Sequence, residues 1–163
     1  MDMAEKQKRL YDVIKDFDNA LLVTSLPNGR CHARPLRVAE IREDGDIFFA
    51  TSADSPKVAE IAANPEVVVT FQDGKQFATV TGRAEVIKDR DLIEQLWSEP
   101  WKLWFPKGKS DPTLCLIRVD GRDGEYWDNA GVEGIKYAFR QVKAYIQGHT
   151  PEVDEKQNAK VRL

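Results

Sequence analysis

Between Arg30 and Lys57 the chain collects the residue types that hold an anion. Arg30, Arg34 and Arg37 fall in a stretch, 19–39, that has no carboxylate, inside a chain of formal net charge -3. Ile47 to Thr51 is an apolar run of strand length, Ser52-Ala53-Asp54 reads as a short loop, and Ser55-Pro56-Lys57 opens a helix. Ser55 suits the N-cap because its hydroxyl can accept from a free first-turn N–H, and Pro56 suits the first helical position because it has no N–H to lose. A helix start presents unpaired N–H groups and the positive end of its dipole, which favours a phosphate there. Thr51, Ser52 and Ser55 add hydroxyls and Lys57 adds charge, so the chemistry on offer is a phosphate cradle. Arg34 and Arg37 would point to opposite faces of a regular strand, but Pro35 belongs at an edge or a bulge. One extra bulge residue would bring both guanidinium groups to one side. By themselves these residues favour the plainer reading, solvated charges that blunt an edge strand.

No other catalytic set stands out, and no catalytic residue is assigned. His32 lacks a Ser or Cys nucleophile with an Asp partner, and Asp44 and Asp46 read as turn residues. Cys31 and Cys115 are isolated, with only His32 and His149 as further soft ligands, so no metal site is expected and a reducing cytoplasm fits. An acidic balance argues against nucleic-acid binding, which relies on a basic face neutralising many phosphates. The charged N-terminal segment has no apolar core of signal-peptide length, and no stretch approaches the ~20 apolar residues of a membrane span.

The elements that must position the cradle follow from patterning. With 163 residues, one domain over 1–149 is expected, followed by a polar tail over 150–163 that would fray. Leu10, Val13, Ile14 and Phe17 recur at helical spacing, giving an amphipathic helix over 4–17. Strands are expected at 20–26, at the arginine-bearing segment and at 47–51, joined by turns at 27–30 and 43–46 into an antiparallel meander. The helix from Ser55 stops at Asn64-Pro65. Strands 66–72 and 75–88 flank the hairpin signal Asp73-Gly74, and Gly82 marks a bulge or bend. Asp89 caps a short helix. The aperiodic segment 98–112 must bury Trp101, Leu103, Trp104 and Phe105. Two further strands, 113–120 and 125–129, are separated by a turn at Gly121–Gly124, and a last amphipathic helix carries Ile135, Phe139, Val142 and Ile146. Trp97 and Trp127 read as core. Seven strands with short connections and inserted helices point to a mainly β fold, an antiparallel sheet closed into a small barrel.

HARPLRV, DGDIFFATSADSPKVAEIAANPEVVVTF, QFATVTGRAEVI and LWFPKGKSDPTLCLIRVDGRDGEYWD together resemble the flavin-binding split β-barrels of the pyridoxamine 5'-phosphate oxidase superfamily, and the last segment resembles its general stress protein branch. The resemblance implies an antiparallel split β-barrel, a homodimer, and flavin mononucleotide (FMN), with FAD as an alternative, in a groove between the subunits. It implies a flavin-dependent oxidoreductase whose small-molecule redox partner is unknown. Carried over by position, it puts Arg34 on the phosphate and Pro35, Leu36 and Arg37 along the flavin ring. Thr51, Ser52 and Lys57 fall at the phosphate end, in agreement with the cradle read from Ser55, and Gln76 falls at the ring; Trp104, in the aperiodic segment, would cover the flavin of the other subunit. Lys107 and Lys109 could attract a second phosphate. The oxidase motif's lysine, five positions after its arginine, is Ala39 here, and the oxidase's arginine-rich C-terminus has no counterpart. Vitamin B6 oxidation and a flavin-free binding module are the alternatives.

Overall fold

The computed structural model describes residues 1–163. The chain opens with helix α1, Met3–Ile14, where Asp2 and Glu5 form a reciprocal capping box, satisfying first-turn N–H groups that lack helical partners. Three antiparallel strands follow: β1 (Asn19–Ser25), β2 (Cys31–Ile41) and β3 (Ile47–Ser52). Helix α2 (Pro56–Ala63) ends where Asn64 turns extended before Pro65, as a residue preceding proline must. Next come β4 (Glu66–Gln72), β5 (Gln76–Ile87) and α3 (Arg90–Leu96), whose N-cap Asp89 accepts from the N–H groups of Asp91 and Leu92. Two single 3-10 turns, Glu99–Leu103 and Gly108–Ser110, lead into β6 (Leu114–Asp128), α4 (Gly131–Gln147) and β7 (Asn158–Arg162).

The sheet runs β3-β2-β1-β4-β5-β6-β7, and β3 also pairs with β6. That second pairing closes six strands into an antiparallel barrel of the split type expected. The long β6 makes closure possible: its first half pairs with β3 from Leu114 to Val119, and its second half pairs with β7 from Asp123 to Trp127. The turn expected at Gly121–Gly124 is therefore absent. Those residues form a bend within β6, where the register against β5 shifts between Thr81 and Gly82. Glycine is required at 82, since a Cβ there would lie 2.1 Å from the Asp120 carbonyl oxygen.

The tail expected to fray instead supplies the seventh strand. Ala159 and Val161 are buried in the main core, and the Tyr126 hydroxyl donates to the Glu155 carbonyl. Alternation over five residues was masked by the polar composition around it. The barrel interior holds Leu22, Phe49, Val69, Val80, Ile117 and Tyr126, plugged by Leu10, Val13 and Ile14 of α1. A second apolar layer lies outside the wall, where Phe48, Leu114 and Leu116 meet Ile93, Trp101 and Phe105. Trp97 packs against this layer, its ring 5.6 Å from that of Trp101 in an edge contact. Trp127 is no core residue: it is 38% exposed on the barrel exterior opposite Phe77. Of the aromatic loop, Trp101 and Phe105 are buried while Leu103 and Trp104 remain exposed.

Candidate functional site

Lys57 is held at the junction of β3 and α2. Its Nζ donates to Thr51 Oγ1 at 3.0 Å and to Ser55 Oγ at 2.5 Å. The loop between them is tied down by the Ala53 N–H, which donates to the Thr113 carbonyl at 2.7 Å, and by the Ser55 N–H, which donates to the Ser52 carbonyl at 3.0 Å. Ser55 is the N-cap as expected, with Pro56 behind it, but its hydroxyl makes no bond to the first turn and instead accepts from Lys57. The first turn therefore has no side-chain cap, and the Val58 N–H is taken by the Ser55 carbonyl at 3.0 Å. Burial, and then the neighbouring Arg34 charge, push the Lys57 ammonium below its ordinary pKa. Its only hydrogen bonds go to hydroxyls and no carboxylate contacts it; the Glu60 charge reaches it from a distance and is already paired with Arg34. An ammonium desolvated without a carboxylate in contact is a site prepared for an anion.

This corner forms one end of a cavity of about 440 Å³. Pro35, Leu36 and Arg37 of β2 line one side, with Thr51, Ser52, Ser55 and Lys57 at the polar end. Trp101, Trp104 and Phe105 supply an aromatic wall, and Asn19 and Ala50 complete the lining. Arg83 and Arg118 are committed to carboxylates, whereas Arg37 has no salt-bridge partner. A larger groove of about 570 Å³ over β5, β6 and β7 presents Asp123 and Glu125 beside Lys160 and Arg162 and has no aromatic wall, so it is poorly suited to a flat ring.

Eight of the ten residues singled out from the sequence thus line one cavity. Arg34 and Gln76 do not. The register of β1 with β2 is continuous from Cys31 to Arg37, and the irregularity falls later, between Val38 and Glu40. Arg34 and Arg37 consequently stay on opposite faces, contrary to the bulge expected between them. Arg34 turns inward: it pairs with Glu60 of α2 and donates to Thr24 Oγ1 at 2.8 Å and to the Leu22 carbonyl at 3.3 Å. His32 Nδ1 lies 3.1 Å from the same carboxylate and 2.7 Å from the guanidinium. Burial alone would raise the Glu60 pKa, but hydrogen bonds from Thr24, His32 and Arg34, with the charge of Arg34, hold it down at about 2. Gln76 starts β5, opposite Asp128, and donates to it at 3.1 Å, because β5 lies between β4 and β6 while the cavity sits on β2 and β3. Lys109 is taken by Glu94 at 2.8 Å, and neither it nor Lys107 lines the cavity.

Sequence reasoning missed Asn19, Ala50, Trp101 and Phe105 as lining residues. The four-residue spacing of Trp101 and Phe105 was the available signal. It also missed Glu60, three residues after Lys57 and so one helical turn behind the cradle.

What the cavity can hold follows from its two ends. Ammonium, hydroxyls and a helix start would take a phosphate, and the indole and phenyl wall would take a flat apolar ring, so the residues present fit a flavin nucleotide.

Comparison with known proteins agrees with the fold. Residues 5–152 match the family described as pyridoxamine 5'-phosphate oxidase like. Over 129 residues the chain is 27% identical to general stress protein 26 of Bacillus subtilis (strain 168), covering 76% of this chain and 89% of that one. The structure of a general stress FMN/FAD binding protein from Xanthomonas citri is 27% identical, with a TM-score of 0.66 over 78% of this chain and 91% of that one. A candidate general stress protein 26 from Jannaschia sp. CCS1, 24% identical, shares the fold with a TM-score of 0.78 over 99% of this chain and 100% of that one. The chain belongs to the pyridoxamine 5'-phosphate oxidase like family, and its similarity within that family runs to general stress proteins.

Proposed function

We propose that this protein binds FMN, with FAD as the larger variant, in the cavity between β2, β3, the start of α2 and the aromatic loop. The observation that carries the reading is Lys57, a partly buried ammonium bonded only to two hydroxyls at a helix start and facing an aromatic wall. The Xanthomonas citri relative, described as FMN/FAD binding, supports it. Lys57, Ser55 and Thr51 would hold the phosphate, and Arg37 and Asn19 would meet the polar edge of the ring or the chain that links it to the phosphate. Trp101, Trp104 and Phe105 would shield the ring from water.

Bound flavin supplies hydride and electron transfer, and the protein supplies position and electrostatics. The activity proposed is that of a flavin-dependent oxidoreductase acting on a small molecule. Vitamin B6 oxidation is less well supported, because Ala39 stands where the oxidase motif has lysine and packs against the outer apolar layer.

The working unit proposed is a homodimer with the cavity at its subunit boundary. A charge-free row on the barrel exterior supports this: Pro35 lies opposite Leu21, Leu21 opposite Thr70 and Thr70 opposite Thr79, and Pro35 also lines the cavity. Cys31 and Cys115 are both free thiols, in keeping with a reducing cytoplasm, and no helix is long and apolar enough to cross a membrane.

The test is the visible spectrum after incubation with FMN and removal of excess. A retained flavin spectrum supports the reading, and a colourless protein overturns it. Riboflavin, which lacks the phosphate, is expected to bind at least about 100-fold more weakly, or about 2.7 kcal/mol.

A further inference from the structure

Helix α4 turns its apolar face away from its own barrel. Val132, Ile135, Phe139, Val142 and Ile146 follow one another at alternating steps of three and four residues, the spacing of a narrow helical seam. All five are exposed, from 60% at Val142 to 78% at Ile146, and Tyr145 beside them is 88% exposed. The opposite face meets the body. Ala144 is buried, Arg140 donates to the Gln157 side chain at 3.0 Å, and the Gln157 side-chain amide donates to the Glu133 carbonyl at 3.2 Å. The helix is therefore anchored by its polar and small residues and carries its apolar ones outward. Gly148, at φ +71, ends it in a left-handed cap and returns the chain to β7.

Six large apolar side chains exposed together present on the order of 700 Å², above the patches monomers usually leave open and close to the ~800 Å² per partner of a stable interface. Charge indicates what covers them. Lys136 is paired with Glu133 and Arg140 with Asp154, so Lys143 is the positive charge this helix leaves free, in a chain of net charge -3. That balance fits another copy of the same body. It fits an anionic membrane poorly, because the rest of the chain would be repelled. Two seams facing each other antiparallel would set Lys136 and Lys143, which flank the seam, against like charges. The barrel instead offers the uncharged exterior row of Leu21, Thr70 and Thr79.

We infer that α4 is a docking arm whose apolar seam lies on the barrel of a second copy of this chain. This rests on the self-association proposed above and adds the surface that secures it.

The experiment is light-scattering mass measurement on the full chain, wild type against Ile135→Glu with Phe139→Glu, together with a photo-crosslinking side chain at Tyr145. Glutamate favours helix and both sites are exposed, so an unchanged far-ultraviolet spectrum is expected. The wild type should run at twice the chain mass, and the double variant at the chain mass, with dimerisation weakened at least about 100-fold. The crosslink should join two copies through barrel strands. A double variant that stays dimeric, or a crosslink confined to one chain or to the partner's α4, overturns the docking arm while leaving self-association standing. A wild type that is monomeric at all concentrations overturns both. A wild-type monomer that sediments with phosphatidylcholine and phosphatidylglycerol vesicles overturns both in favour of a membrane surface. Flavin retention is read separately and decides none of these outcomes.

Discussion

Arg34 and Glu60, 26 residues apart in the chain, close on each other at the end of the barrel with both side chains only 13% exposed. The pair ties β2 to α2, and α2 carries Lys57. Arg34 thus stands one step behind the cradle, holding the helix whose first turn faces the ligand space.

Removing one partner of such a pair leaves the other charge poorly solvated, at a cost of 3–5 kcal/mol where burial is complete. Arg34→Ala is expected to lower stability by about 3 kcal/mol in urea unfolding. A variant as stable as the wild type would show that the pair does not anchor α2.

The same network sets an acid limit. The Glu60 carboxyl titrates near 2 in the folded chain against an ordinary value of 4.5. A folded pKa below the unfolded one contributes stability that is complete above about 4.5 and is lost as pH falls toward 2. Urea midpoints measured down this window should fall more steeply for the wild type than for Glu60→Gln. Parallel curves would remove Glu60 as a source of the acid sensitivity.

Lys57→Ala should separate binding from folding. Charged hydrogen bonds contribute about 1.5 to 3 kcal/mol, so FMN affinity should drop about 10- to 100-fold while riboflavin affinity stays constant. Stability should hold or rise, since an ammonium disfavoured by burial is removed. The phosphate needs the charged amine, and burial with Arg34 lowers its pKa from 10.5. Wild-type FMN affinity should therefore decline as pH rises through that lowered value. Fluorescence titration from neutral to alkaline pH would show this slope in the wild type and its absence in the variant.

Trp104 lines the cavity yet is 62% exposed. Its replacement by alanine should cost little stability and weaken flavin binding by about 1 kcal/mol, the worth of an aromatic contact beyond its area. Tryptophan fluorescence quenched by FMN in the wild type should be less quenched in the variant. Equal affinity and equal quenching would leave the wall to Trp101 and Phe105.

Val161, buried in the core from the C-terminal strand, tests whether the last residues belong to the fold. Val161→Ala is expected to cost about 2 kcal/mol from the lost methyl groups and the cavity left behind. Thermal unfolding that is indifferent to the substitution would return the tail to solvent.

Local chemistry made much of this protein legible from its sequence. Ser55-Pro56 marked the α2 start, Asp89 capped α3, Asn64-Pro65 ended α2, and alternating apolar runs marked the barrel strands, because caps, prolines and period-two burial act within a few residues. The cradle of Thr51, Ser55 and Lys57 was legible for the same reason, since strand end and helix start are joined by one short loop. Tertiary pairing decided the rest. The register of β1 on β2 set which way Arg34 and Arg37 point, and Glu60, on another element, claimed the inward one. β3 and β7 each took half of one long β6, turning an expected hairpin turn at Gly121–Gly124 into a bend and a polar tail into a strand. Trp101 and Phe105 joined the cavity only because closure of the barrel brought their loop over β2 and β3. Such relationships depend on which distant backbone comes to lie alongside, and no short window of residues contains that information.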